Sequence, residues 1–154
     1  MNRVLFVVVG IVIYTFSYGQ NIEFNKKNFP NTKKELNFAL KAIKHGDDLY
    51  SEALFYYEHE DYSHFRNALP YYQKAQTFNP ENAELNFKIG MCILYTVHNE
   101  RSLSYFKKSY DLNPEVDDKI HYYLGRAEHY NEHWEKAVES LSLIHISEPT
   151  RQEA

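Results

Sequence analysis

The chain has 154 residues, 44% of them hydrophobic and 25% charged, an ordinary balance for one folded domain and the wrong one for a chain disordered throughout. Its formal net charge of -4 argues against a nucleic-acid binder, which would show a basic stripe. Fourteen Tyr and ten Phe are most simply bulky residues that fill gaps between helices, with Tyr keeping its hydroxyl near water.

Residues 1–19 differ in character from everything that follows. Arg3 stands near the start, an apolar run spans Val4 to Phe16, and small residues follow at Ser17 and Gly19. That is the layout of a signal peptide. The run is shorter than the roughly 20 residues a membrane span needs, so cleavage after Gly19 is expected, with a mature chain starting at Gln20. No cysteine lies near this junction, which disfavours a lipid-anchored product. Cys92 is the only cysteine, so an exported chain has no internal disulfide and relies on its core.

Residues 20–31 read as a polar, extended lead-in. From Thr32 the pattern turns helical: Leu36, Ala39, Leu40 and Ile43 share one face, Asn31 or Thr32 is the expected N-cap, and Gly46 the expected stop. This predicts a cap helix over 32–46. A helical pair follows over 48–81, its first helix running through Tyr50, Ala53, Leu54 and Tyr57. Pro70 is tolerable only in a first turn, which places the start of the second helix near Asn67, with Ser63 to Arg66 as a separate turn. The pair over 82–116 has helices at Ala83–Thr96 and Glu100–Leu112. A third, over 117–140, begins with Ile120, Tyr123, Leu124 and Ala127 facing inward and continues at Ala137.

These segments repeat. Ala68 returns as Ser102, Tyr72 as Phe106, Ala75 as Ser109 and Pro80 as Pro114, each 34 positions later, and Gly90 returns as Gly125 after 35. Ile89-Gly90 and Leu124-Gly125 occupy matching places in the first helices, and Ala68, Ser102 and Ala137 are small where a second helix must approach the first. Asn79-Pro80 and Asn113-Pro114 close two units. In period and position types the chain resembles the tetratricopeptide repeat (TPR), a helix-turn-helix solenoid. The fold class expected is therefore all-α, a cap helix and about three repeats. Tyr56 stands where the pattern asks for glycine in the first repeat, which implies a splayed first pair or a longer turn.

The stretch Leu141 to Arg151, LSLIHISEPTR, breaks the helical pattern at Pro149. Its eleven residues resemble, codon by codon, the translation of a transposon-based sequencing adapter. The expectation is that residues 141–154 are a non-native tail, that the third repeat is cut at about Ser140, and that the chain is an N-terminal fragment.

Three motifs bear on catalysis. His129-Tyr130-Asn131-Glu132-His133 spells H-x-x-E-H, the inverted zinc-peptidase motif, whose two histidines must lie one turn apart on a continuous helix. The repeat puts Asn131 to His133 at an inter-helix turn, which favours a polar turn over a metal site. His59-Glu60 with His64 is one residue too long for H-E-x-x-H. Cys92 lies on an apolar helix face beside Ile93, which favours a buried, inert thiol. No Gly-rich phosphate loop or G-x-S-x-G is present. The expectation is a chain that is not an enzyme, with no cofactor, no metal and no catalytic residue.

What the resemblance implies is a groove lined by the first helices and filled by a peptide. Its positions carry over to Tyr57 and Glu60 in the first repeat, Phe87, Met91 and Tyr95 in the second, and Tyr122, Arg126 and His129 in the third. The Lys and Asn set with which some members clamp a C-terminal carboxylate is lacking. NPENAELNFKIGMCIL and IHYYLGRAEHYNEHWEKAVES, behind a signal peptide without a lipid-attachment Cys, resemble the TPR module of Gram-negative envelope proteins in which a WD40-like propeller and an OmpA-like domain follow. That resemblance covers about Lys33 to Ser140. It implies a periplasmic or outer-membrane-associated scaffold docking envelope partners, secretion or motility machinery among them, and bound to peptidoglycan only through a C-terminal domain absent here. The alternatives are a secreted TPR adaptor without a wall anchor and, less favoured, a zinc metallopeptidase using His129 and His133.

Overall fold

The computed structural model describes residues 19–57 and 62–144, and they form six α-helices with no strand among them. The helices are α1 (Lys33–Tyr56), α2 (Ser63–Phe78), α3 (Ala83–Leu94), α4 (Ser102–Leu112), α5 (Ile120–Tyr130) and α6 (Trp134–Ser142), with a short 3-10 turn over Asn99–Arg101 before α4. They pair consecutively as antiparallel hairpins. In the first, Asp47 of α1 meets Tyr72 of α2 while Tyr50, further along α1, meets Phe65, nearer the start of α2.

The buried face of each second helix carries the small and aromatic residues that recur in the sequence. Ala68, Tyr72, Ser102, Phe106 and Ala137 are all buried. Opposite them stand glycines. A Cβ on Gly46 would come within 2.6 Å of the Tyr72 ring, on Gly90 within 2.8 Å of the Phe106 ring, and on Gly125 within 2.6 Å of Leu141. Each hairpin therefore closes where a first helix has no side chain and a second helix has a large one. The third closes on Leu141, the first residue of the adapter-like tail.

Two Asn-Pro turns end α2 and α4 alike. Asn79 and Asn113 are extended, as the residue before a proline must be, and each donates its backbone N–H to the carbonyl four residues back. Their side-chain oxygens then accept from Glu81 and Glu115 N–H groups.

Helix α3 is central. Its sequence AELNFKIGMCIL has only two charged residues, Glu84 and Lys88, which pair with each other at 2.7 Å, and ten of its twelve residues are buried. A helix apolar nearly all round needs neighbours on both sides. Leu85, Ile89 and Cys92 pack with α1 and α2, while Phe87, Met91 and Leu94 pack with α4 and α5.

Three expectations are corrected. Gly46 does not stop a cap helix at 32–46: α1 is continuous for 24 residues, because the space Gly46 leaves is taken by Tyr72. The first pair thus begins at Lys33, not at 48. Pro70 lies inside α2 and not in its first turn, and α2 starts at Ser63. Pro70 leaves the Arg66 carbonyl without its intrahelical donor, a cost the burial of Phe65 and Ala68 before it and of Tyr72 and Ala75 after it offsets. Lastly, the lead-in does more than extend. Ile22 donates to the Glu81 carbonyl and accepts from the Asn79 and Asn82 side chains, Asn21 caps the Ala83 N–H, and Phe24 and Phe29 pack on Phe78. Thr32 is the N-cap residue of α1, as expected, although its hydroxyl makes no capping bond.

Candidate functional site: an aromatic cleft on the first helices

The first helix of each hairpin lies beside the next. Lys88 of α3 reaches Asp47 of α1 at 2.8 Å, and Phe87 of α3 meets Tyr123 of α5 edge to face at 5.5 Å. The surface these three helices share holds an open cleft of about 730 Å³. Leu54 and Tyr57 supply one wall, Met91 and Tyr95 the floor, and Lys119, Tyr122 and Tyr123 the other wall.

Tyr95 organises it. Its ring stacks on Phe65 at 4.8 Å and on Tyr62 at 5.2 Å, and meets Tyr57 edge to face at 5.4 Å. Its hydroxyl donates to the Tyr57 hydroxyl at 3.2 Å and accepts from the Arg126 guanidinium at 3.1 Å. Burial, and then the bond to Tyr57, raise the pKa of Tyr95 above the usual tyrosine range, Arg126 offsetting part of this, so the phenol is neutral at ordinary pH. Arg126 lies over the faces of Tyr95 and Tyr122, 5.5 and 5.7 Å from their centroids, and gives a second bond to the Tyr130 hydroxyl. Burial acts against its charge, but the Tyr130 bond and charge interaction with the hydroxyls of Tyr95, Tyr122 and Tyr130 outweigh it and hold its pKa above the ordinary value.

Of the groove residues expected from sequence, Tyr57, Met91, Tyr95 and Tyr122 line this cleft. Arg126 touches Tyr95 and Tyr122 of this cleft and lines a neighbouring cleft of about 430 Å³ with Trp134 and Val138. His129 belongs to that second cleft, its ring edge-on to Trp134 at 4.9 Å. Phe87 does not line this cleft: it is largely buried, edge to face with Phe106 and Tyr123, and lines an adjoining pocket with Met91 and Tyr123. Glu60 lies outside the described residues. Sequence reasoning missed Tyr62, Phe65 and Lys119. Tyr62 and Phe65 flank the start of α2 at Ser63, where the position of Pro70 predicts a separate turn over Ser63 to Arg66.

The two histidines of the H-x-x-E-H motif are separately engaged. His129 closes α5 and faces Trp134, whereas His133 precedes α6 beyond a turn in which Glu132 takes a φ of 60°. His133 Nδ1 lies 2.6 Å from the Glu128 carboxylate, which also receives Lys107 at 2.7 Å. Among the described residues no group of three or more His, Cys, Asp or Glu is arranged to hold a metal ion. Cys92 is fully buried, and burial pushes its thiol up to about 12 despite the nearby Lys88 charge, so thiolate is scarce at neutral pH.

No protein-family model matches the chain, and no curated protein matches it. Among the described residues no helix is long and apolar enough to cross a membrane.

Proposed function

We propose that this chain is a TPR-type protein–protein interaction module whose concave surface docks a peptide segment of a partner, and that it is the N-terminal part of a cell-envelope scaffold. The observation that carries the reading is the cleft: α1, α3 and α5 lie side by side and bring Tyr57, Met91, Tyr95 and Tyr122 to one open, largely aromatic trough. Aromatic residues beside an arginine are the side chains that most often dominate protein interfaces. Support for a repeat architecture comes from the glycine opposite a large side chain in every hairpin and from the two matching Asn-Pro turns. On this reading the chain has no catalytic residue and needs no cofactor. Export by the leader, and attachment to peptidoglycan through a further C-terminal domain, are parts of the proposal that rest on the sequence resemblance alone.

The test is a pull-down from an envelope extract with the tagged chain and with a Tyr95→Ala, Arg126→Ala double variant, helical content being checked by circular dichroism. A partner recovered by the first and lost by the second supports the groove. Unchanged recovery places the interface elsewhere on the molecule.

A further inference from the structure

The cations that reach across between helices are paired with carboxylates. Lys88 has Asp47 and Glu84, Lys107 has Glu128, and Lys108 has Glu81. Arg126 differs. It is half-buried, its two hydrogen bonds go to the Tyr95 and Tyr130 hydroxyls, and among the described residues no carboxylate lies within ion-pair distance of it. A guanidinium carries five N–H donors in a fixed fork, so most of its donor capacity is unspent. The charged residues lining the larger cleft, Asp118 and Lys119, are of opposite sign and adjoin each other, so among the described residues Arg126 stands beside it as a charge without an opposite partner. The Tyr95 and Tyr122 faces and the Tyr95 and Tyr130 hydroxyls hold the fork in place before any ligand arrives, which reduces the ordering cost of binding.

Position decides what kind of carboxylate fits. Arg126 stands at the junction of the two clefts, in contact with Tyr95 and Tyr122 on one side and lining the other with Trp134. A segment that fills both clefts passes Arg126 at its middle and not at its end. Resting on the groove reading above, we propose that the module recognises an internal acidic side chain of a partner peptide, its carboxylate taken by the Arg126 fork and a bulky apolar neighbour seated against Tyr95 and Tyr122.

The experiment is fluorescence polarisation with the full chain and three dye-labelled probes. The first is an end-blocked peptide, Ser-Gly-Phe-Glu-Leu-Gly-Ser. The second has Gln in place of Glu. The third is the Gln peptide with a free C-terminal carboxylate. The acidic probe is expected to bind about tenfold or more tightly than the other two, the scale of a charge-assisted hydrogen bond gained or lost. Arg126→Gln should abolish that preference, and Arg126→Lys, which keeps the charge without the fork, should retain part of it. Circular dichroism verifies that both variants are folded. Equal binding of the Glu and Gln probes, preference for the free C-terminus, or indifference to Arg126→Gln would each overturn the proposal. If the Gln probe binds equally and Tyr57→Ala removes that binding, the carboxylate assignment falls while the groove stands. If no probe binds and the pull-down ignores the Tyr95 and Arg126 changes, both fall.

Discussion

Gly46 lies against the ring of Tyr72, so close that a Cβ at Gly46 would meet ring carbons at 2.6 and 2.8 Å. The ring cannot easily yield, because Tyr72 is fully buried and its hydroxyl donates to Asp47 at 2.8 Å. A glycine within a 24-residue helix is thereby explained by the neighbour it admits, against its poor helix propensity.

Gly46→Ala is accordingly expected to destabilise the chain. Overpacking costs about 1–3 kcal/mol, and the gain in helix propensity returns at most about 1 kcal/mol. The urea midpoint should fall at unchanged slope. A rise in midpoint would mean that Tyr72 moves freely and that the close approach does not hold the first hairpin together.

The same relationship explains what the sequence revealed and what it concealed. Gly90 and Phe106 are 16 positions apart, whereas Gly46 and Tyr72 are 26 apart, so the 16-residue spacing counted back from Tyr72 lands on Tyr56 and takes Gly46 for a helix end. The extra residues lengthen the end of α1 and the start of α2 without altering the contact, and such an insertion is invisible to any argument from period. The Asn-Pro turns were legible because the conformation before a proline is set by local sterics. The lead-in was not, because Ile22 finds Asn79 and Asn82 across 57 and 60 positions of chain, a pairing no local pattern encodes. In the cleft, groove positions carried over by resemblance named Tyr57, Met91, Tyr95 and Tyr122. They could not tell that Phe87 lies below this cleft beside an adjoining pocket or that Arg126 has no acidic partner among the described residues, since both depend on how far one hairpin is rotated against the next.

Glu128 gives a pH dependence of defined sign. Burial alone would raise its pKa, but bonds from Lys107 and His133 outweigh burial and hold the carboxyl below the usual range. A carboxyl with a depressed folded pKa contributes stability that is fully present above the unfolded value, about 4.3, and is lost as pH falls through the lower folded value. Glu128→Gln should therefore cost about 1–3 kcal/mol near neutral pH, and the gap to the parent should close as pH falls below about 4. Urea titrations of both proteins from pH 7 to pH 3 measure it. Parallel curves over that whole range would show that Glu128 does not couple α4 to the α5–α6 turn in the way its bonds indicate.

Cys92 offers a probe of the core on which the cleft stands. It is the chain's only thiol, it is fully buried between α1, α2 and α3, and burial pushes its pKa up to about 12. Both access and thiolate formation are thus denied in the folded state, and a thiol-selective reagent can react only through opening of the first two hairpins. Labelling with a chromogenic disulfide at pH 8 is expected to be slow in buffer and to accelerate with urea along the unfolding curve. Gly46→Ala should speed it in proportion to the stability it removes, because it loosens the hairpin on which Cys92 packs. Peptide bound in the cleft should slow it, since Tyr95 packs against the same cluster of buried residues as Cys92 and fixing one restrains the other. Fast labelling in buffer, independent of urea, would instead mean that α3 is exposed on the side facing α1 and α2, and the central place assigned to that helix would be wrong.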